Sequence, residues 1–205
     1  MTAAPVSASP FRLPDEEGFT VADLHALPEN GLRYELIDGS LIVSPSATFG
    51  HNAIARWIAN ALEEACPTDA YVVGTDQSAS IDGHNEPRPD VVVAHVEHYE
   101  HSPFPITDAL LVVEVVSPTS ALRDTETKRG LYARAGVPSY WIVVPDRHKP
   151  TISLAELVLD EGAETYRYAV HYTSEVFETT VPWPVRVDLP ALTERRAKAM
   201  GRNAN

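Results

Sequence analysis

Cysteine is almost missing from this chain. Cys66 stands alone among 205 residues, which excludes an internal disulfide and the stapled scaffolds of small secreted proteins. Long apolar runs are missing too. No segment approaches the ~20 residues that a membrane-spanning helix needs. Residues 1–18 (MTAAPVSASPFRLPDEEG) hold no continuous apolar stretch of the kind a secretory signal carries, so a cytoplasmic location is expected. Neither a Walker nor a dinucleotide glycine pattern occurs, and no nucleotide cofactor is implied. Ser117 lacks the G-x-S-x-G surroundings of a hydrolase nucleophile. Basic residues are scarce: 16 Lys and Arg against 29 Asp and Glu leave a formal net charge of -13. That excludes broad electrostatic attachment to nucleic acid, which depends on cations displacing counterions from phosphates.

What remains is enough for a packed core, since 44% of the residues are hydrophobic. Residues 1–18 are expected to form a mobile arm, and 19–205 a single domain with its core at 33–147. Thr20 and Asp23 form a capping-box pattern opening a short helix, which Pro28, Asn30 and Gly31 close. Tyr34–Val43 reads as a hairpin turning at Asp38-Gly39. From Phe49 to Cys66 the apolar residues Ile54, Trp57, Ile58, Ala61, Leu62 and Ala65 recur at helical spacing, and Pro67 stops the helix. Strand-like runs follow at 70–81, 90–96 and 109–116. The last two are nearly continuous Val and Leu, as suits strands covered on both faces. Ser120–Ala135 reads as a helix ended by Gly136, and Ser139–Val144 as another buried strand. This order (helix, three strands, helix, strand) predicts an α/β core with a mixed central sheet. Residues 152–158, 166–172 and 176–181 suggest an antiparallel meander, followed by an amphipathic piece near 189–200.

Two carboxylates stand where strands of Val and Leu should have none. Asp90 follows Arg88-Pro89, and Glu114 interrupts Leu110–Val116. A buried carboxylate costs several kcal/mol unless it is paired or bound to a cation. Either each sits at a strand end beside an arginine, or the two share a cation. Lys128 is a third candidate. It shares a helix face with Asp124, Leu131, Tyr132 and Ala135. The apolar members should turn it inward over Glu114, whereas a solvated Asp124–Lys128 pair is the alternative. His51 and Gln77 are candidates for lining a cleft. Six basic residues cluster between Arg123 and Lys149, as a binding surface or as an ordinary charged face. His95, His98 and His101 with Glu97 and Glu100 suggest zinc, but the spacing does not gather them on one helix face and no HExxH occurs, so a polar loop is expected. Asp82, His84 and Glu86 read as an acidic turn, and Cys66 as structural.

Several segments together carry a resemblance. Tyr34–Gly39 (YELIDG), Arg88–Val93 (RPDVVV), Val113–Pro118 (VEVVSP), Asp124, Lys128, Leu131–Pro138 (LYARAGVP) and Tyr140–Val143 (YWIV) resemble the Uma-type family of putative restriction endonucleases, within the PD-(D/E)XK nuclease superfamily. The likeness runs from about residue 20 to 147. It implies a restriction-endonuclease-like fold and a Mg²⁺-dependent endonuclease, with Mn²⁺ as a substitute and DNA as substrate. It also implies that Asp90, Glu114 and the main-chain carbonyl of Val115 bind the metal, and that Glu35 is a further catalytic carboxylate. The signature lysine would stand at position 116, where this chain has valine, so Lys128 is the implied substitute. A nuclease-derived binding module without catalysis, and a metal-dependent phosphodiesterase acting on RNA, remain as alternatives. A homodimer is an expectation of the same resemblance, with the apolar, Trp-bearing segment 181–187 as a candidate contact.

Overall fold

The computed structural model describes residues 18–28, 31–44, 46–118, 120–160 and 162–201. The expected arm therefore lies, but for Gly18, outside the described residues, as does Asn30. The chain opens with α1 (Val21–His25), and its capping box forms: Thr20 Oγ1 accepts from Asp23 N, while Asp23 accepts from Thr20 N at 2.9 Å. β1 (Arg33–Ile37) and β2 (Ser40–Ser44) follow as an antiparallel hairpin. Its turn residues Asp38 and Gly39 both have positive φ, at 46° and 68°, which the tight turns of two-residue hairpins require.

α2 (Phe49–Glu64) buries Ile54, Ala55, Ile58, Ala59 and Leu62, and Thr48 caps its start. Then come β3 (Tyr71–Thr75), β4 (Ala79–Ser80), β5 (Val91–His95), β6 (Phe104–Pro105) and β7 (Ala109–Val115). A π-helical turn at Arg123–Thr127 leads into α3 (Lys128–Arg134), which ends where Gly136 takes a φ of 80°. β8 (Ser139–Pro145), β9 (Ile152–Asp160), β10 (Thr165–Thr173), β11 (Val176–Thr179), β12 (Val185–Asp188) and α4 (Leu189–Ala199) complete the order.

The expected mixed sheet is present. Six strands run in the order β10-β9-β8-β7-β5-β3; β7 and β8 are parallel and the other pairs antiparallel. Parallel neighbours need a crossover, and α3 supplies it. Side chains alternate between two cores. One face packs Val91, Val93, Val113, Trp141 and Leu154 under α2 and the β11–β12 ribbon. The other packs Val92, Val112, Tyr140, Ile142 and Leu157 with Tyr132 of α3. Trp141 and Tyr140, adjacent on β8 and both fully buried, anchor the two faces.

Three expectations need correction. The run 70–81 breaks after Thr75, because Asp76 adopts a positive φ of 58° and is tied by its N–H to Asp90 O; β4 pairs instead with β6. The helix expected over 120–135 contains the π-helical turn. The three-strand meander stops at two strands. β11 leaves β10 and pairs with β12, because Phe177, Trp183, Val185 and Val187 are needed to cover the α2 side of the sheet. The same burial takes up the Trp183 ring of segment 181–187, which is 4% exposed and packs on Tyr71, while Pro184 and Arg186 stay exposed. Among the described residues no helix is long and apolar enough to cross a membrane.

Candidate active site

Antiparallel β5 and β7 place the start of one strand beside the end of the other. That geometry brings Asp90, just before β5, next to Glu114 and Val115 at the end of β7. The two strands part here. The register that pairs Val91 with Val113 would set Val115 opposite Pro89, which has no N–H to give. The Val115 N–H turns to Asp90 Oδ2 instead, at 2.7 Å, and the Val115 carbonyl faces the same side without a donor from Pro89. The other oxygen of Asp90 meets His51 Nε2 at 2.9 Å, from the first turn of α2.

Glu114 points the other way, under α3. It is 2% exposed, and its Oε1 accepts from Lys128 Nζ at 2.8 Å and from Tyr132 Oη at 2.9 Å. Lys128 is equally buried and also donates to Glu35 Oε1, at 2.7 Å. Glu35 comes from β1 and accepts in addition from the Arg88 N–H at 2.8 Å. One ammonium thus sits between two carboxylates from separate parts of the chain. Tyr132 and Leu131, fully buried on the same side of α3, turn Lys128 inward.

The electrostatics follow from this arrangement. Burial raises the Glu35 carboxyl, but the Lys128 charge and hydrogen bond outweigh it and the net direction is downward. Glu114 is pushed well up by burial; Lys128 offsets only part of this, and Asp124, Asp90 and Glu35 add to it. Lys128 is lowered by burial but raised overall by Glu114, Glu35 and Asp124, so it stays an ammonium. Asp124, 2% exposed on the π-helical turn, is raised by burial to about 6 despite the pull of Lys128. The solvated Asp124–Lys128 pair is excluded by the burial of both.

These groups open onto a cleft of about 470 Å³. Six of the chain's sixteen basic residues line it: Arg33, Arg88, Arg123, Lys128, Arg147 and Arg196. As many acids line it, namely Glu35, Asp76, Asp90, Glu114, Asp124 and Asp146. The cleft is therefore near neutral in formal charge while the rest of the chain carries the excess of acid, which answers the objection from net charge. Arg33 and Arg88 both engage Asp76, and Arg196 donates to the carbonyls of Asp146, Lys149 and Thr151.

The donors available for a divalent cation are carboxylate oxygens of Asp90, Glu114 and Glu35 and the Val115 carbonyl, a hard-oxygen set that fits Mg²⁺ or Mn²⁺ in kind. Among the described residues no group of three or more His, Cys, Asp and Glu is already gathered around a point that could hold an ion. Lys128 occupies the space between two of the donors.

His51 lies in the cleft, as expected. Gln77 does not: it lines a second hollow beside Gly74, His98 and Tyr99. The histidine run is not gathered at one point. His98 and His101 do meet, with ring nitrogens 3.1 Å apart, and His98 pairs with Asp108 at 2.9 Å, while His95 packs on Tyr71. Asp82 and His84 form the expected turn, but Glu86 is buried, accepting from Ser78 and meeting His25. Cys66 Sγ donates to Thr68 O. Sequence pattern alone assigns no site role to Tyr132, Asp76 or Arg33. Tyr132 on the inward helix face was a usable signal for the first; the other two had none.

Comparison with known proteins bears on the fold and the family. A crystal structure described as a putative nuclease belonging to DUF820, from Anabaena variabilis ATCC 29413, superposes with a TM-score of 0.60 over 87% of this chain and 99% of the other, at 18% identity. At that identity the likeness is one of fold. No curated protein sequence matches the chain. The family model described as Uma2, putative restriction endonuclease, matches residues 21–185, four-fifths of the sequence and every cleft residue just named except Arg196, and the chain belongs to that family.

Proposed function

We propose that this protein is a metal-dependent endonuclease that hydrolyses phosphodiester bonds of DNA. The observation that carries the proposal is the buried Lys128 ammonium held between Glu35 and Glu114, with Asp90 alongside at the parting of β5 and β7. Structural ion pairs are rarely built this way. Burying three charges is expensive, and hydrophobic residues of similar size would stabilise the fold as well or better.

Asp90, Glu114 and the Val115 carbonyl, with Glu35 beside them, would hold Mg²⁺ or Mn²⁺. Such an ion supplies an acidified water and polarises the phosphate. The chain's own groups do the rest. His51 and the Val115 N–H fix both oxygens of Asp90, and Tyr132 fixes Glu114. Lys128 remains protonated, so its part is to donate a hydrogen bond to the attacking water and to offset charge as it grows on the phosphate, not to serve as base. The six basic groups of the cleft offset its six acids, so a phosphate backbone meets less repulsion there than at the acidic exterior.

Two other readings have support. The clamped carboxylates suit a binding module that has lost catalysis. RNA is open because hydrolysis of either backbone uses the same groups. Supercoiled plasmid incubated with Mg²⁺ or Mn²⁺, beside Asp90→Ala, Glu114→Ala and Lys128→Ala proteins, tests the proposal. Nicking that EDTA stops and that the first two variants lose is expected. Absence of cleavage on DNA and on RNA, together with no calorimetric Mn²⁺ binding, would favour the module.

A further inference from the structure

α2 presents to water a face that the fold does not explain. Its buried stripe leaves Phe49, Asn52, Arg56 and Asn60 outside, at spacings of three, four and four, so these residues form one line along the helix. Phe49 begins that line and is 98% exposed. An aromatic ring on the polar side of an amphipathic helix contributes nothing to the core. The line also lacks acid. The first turn of α2 holds no carboxylate, although a helix start favours one and the chain has 29 to place; Glu63 is the first on the helix.

Position gives the face its meaning. Thr48, Gly50 and His51, on either side of Phe49, line the cleft, and His51 touches Asp90; Phe49 stands just outside that lining, at the rim. Across the cleft Arg123 also lines it, next to Leu122, which is 76% exposed. Arg123 Nε is buried without a hydrogen-bond partner and stands 4.0 Å from Asp124 Oδ1. Of the other arginines lining the cleft, Arg33, Arg88 and Arg196 are engaged by Asp76 or by main-chain carbonyls, and Arg147 is the remaining one. The π-helical turn accounts for its placement. An i→i+5 turn stacks residues five apart, so Arg123 comes round to the side of Lys128, where an α-turn would carry it away.

We propose that the mouth of the cleft docks one nucleotide of a strand: Phe49 stacks on a base drawn out of its neighbours, and Arg123 takes an adjoining phosphate. The inference rests on the nuclease reading and narrows it, to nucleic acid whose bases are free to unstack and away from intact duplex. An aromatic face serves any base, because every base has a π-face. Arg56 lies seven residues beyond Phe49, about 10 Å along the helix axis, where it reaches a further phosphate of the same strand. Flat apolar rings joined by anions match a surface of ring, amides and guanidinium without carboxylates better than the apolar face of a protein does.

Fluorescence titration of a 2-aminopurine single strand, with Ca²⁺ in place of Mg²⁺, tests this against the same strand carrying an abasic site and against the duplex. Wild-type protein should bind the single strand at least tenfold more tightly than the duplex. Phe49→Ala should weaken binding of the base-bearing strand roughly 5- to 150-fold, as loss of one stacked base does, and leave the abasic strand unaffected. Arg123→Gln should weaken both strands alike and lower the salt slope by about one. Equal binding of the base-bearing strand by wild type and Phe49→Ala overturns the inference and leaves the nuclease reading standing. So does a dimer that Phe49→Ala dissociates with strand binding unchanged, since a second copy would then cover the ring. If wild type binds no strand at low salt, the nucleic-acid reading fails and this inference with it.

Discussion

Asp124→Asn should make the protein more stable, by an amount that depends on pH. The Asp124 carboxyl titrates at 3.8 in the unfolded chain and at about 6 in the fold, because burial outweighs the attraction of Lys128. Between those values the folded state keeps a proton that the unfolded state has released, so stability falls as pH rises through this window. A shift of about two units at 1.36 kcal/mol each amounts to roughly 3 kcal/mol lost by neutral pH. Asparagine keeps the shape and never ionises. The variant should match wild type near pH 4 and exceed it by roughly 2–3 kcal/mol at pH 7 and above. Urea unfolding at a series of pH values, with the m-value unchanged, would read this difference. Glu114 and Lys128 feel the Asp124 charge and shift with its removal, whereas groups remote from the site are common to both proteins and cancel in the comparison. A gap that does not change with pH would refute the reasoning. So would an asparagine protein that is the less stable at neutral pH, for then Lys128, Ser120 and Arg123 would hold the aspartate ionised against its burial.

Lys128→Met should destabilise the fold by roughly 3–5 kcal/mol at neutral pH, since Glu35 and Glu114 lose their shared cation; denaturant melts would show it, and Glu35→Gln added to that variant should recover part of the loss. Mn²⁺ at a hundred times its dissociation constant should stabilise wild type by about 2.7 kcal/mol, seen as a rise in Tm. Asp90→Ala and Glu114→Ala proteins should show no such rise, and an equal rise in all three would place the ion elsewhere.

Much of this architecture can be read from the residues because two periodicities were clean. The Val-rich runs at 91–95 and 109–115 and the spaced apolar positions of α2 each permit one placement only, and the structure agrees. Legibility ended where backbone geometry departed from those periods. Nothing in the residue types announces the positive φ of Asp76 or the extra residue in the π-helical turn, and both changed what faces the cleft. Adjacency in sequence favours β11 beside β10, because antiparallel neighbours in sequence usually pair. Its true position was decided by distant apolar demand, the need to cover Trp141 with Phe177. The candidate residues show the same division. Glu114 and Asp90 stood out as charges in apolar strands, while Arg33 and Asp76 meet only through the folded chain.

The contact between Glu35 and Lys128 spans 93 residues of sequence, and this separation bears on the order of events when the chain folds. The hairpin that carries Glu35 lies outside the six-stranded sheet, and its ties to the rest of the chain include the Leu36–Glu86 bridge, the Arg88 N–H, the Arg33–Asp76 pair, the Asp38 N–H to Asn85 and that one ammonium. Closing so long a loop is entropically costly, and such contacts form after the local ones have lowered the cost. On entropic grounds the polar centre is assembled late, when α3 crosses over and delivers its lysine, and until then Glu35 lacks its cation although Arg33 of the same strand can already meet Asp76. In the finished protein the same seam is the natural place for a partial opening, in which the hairpin lifts as a unit while the sheet stays intact.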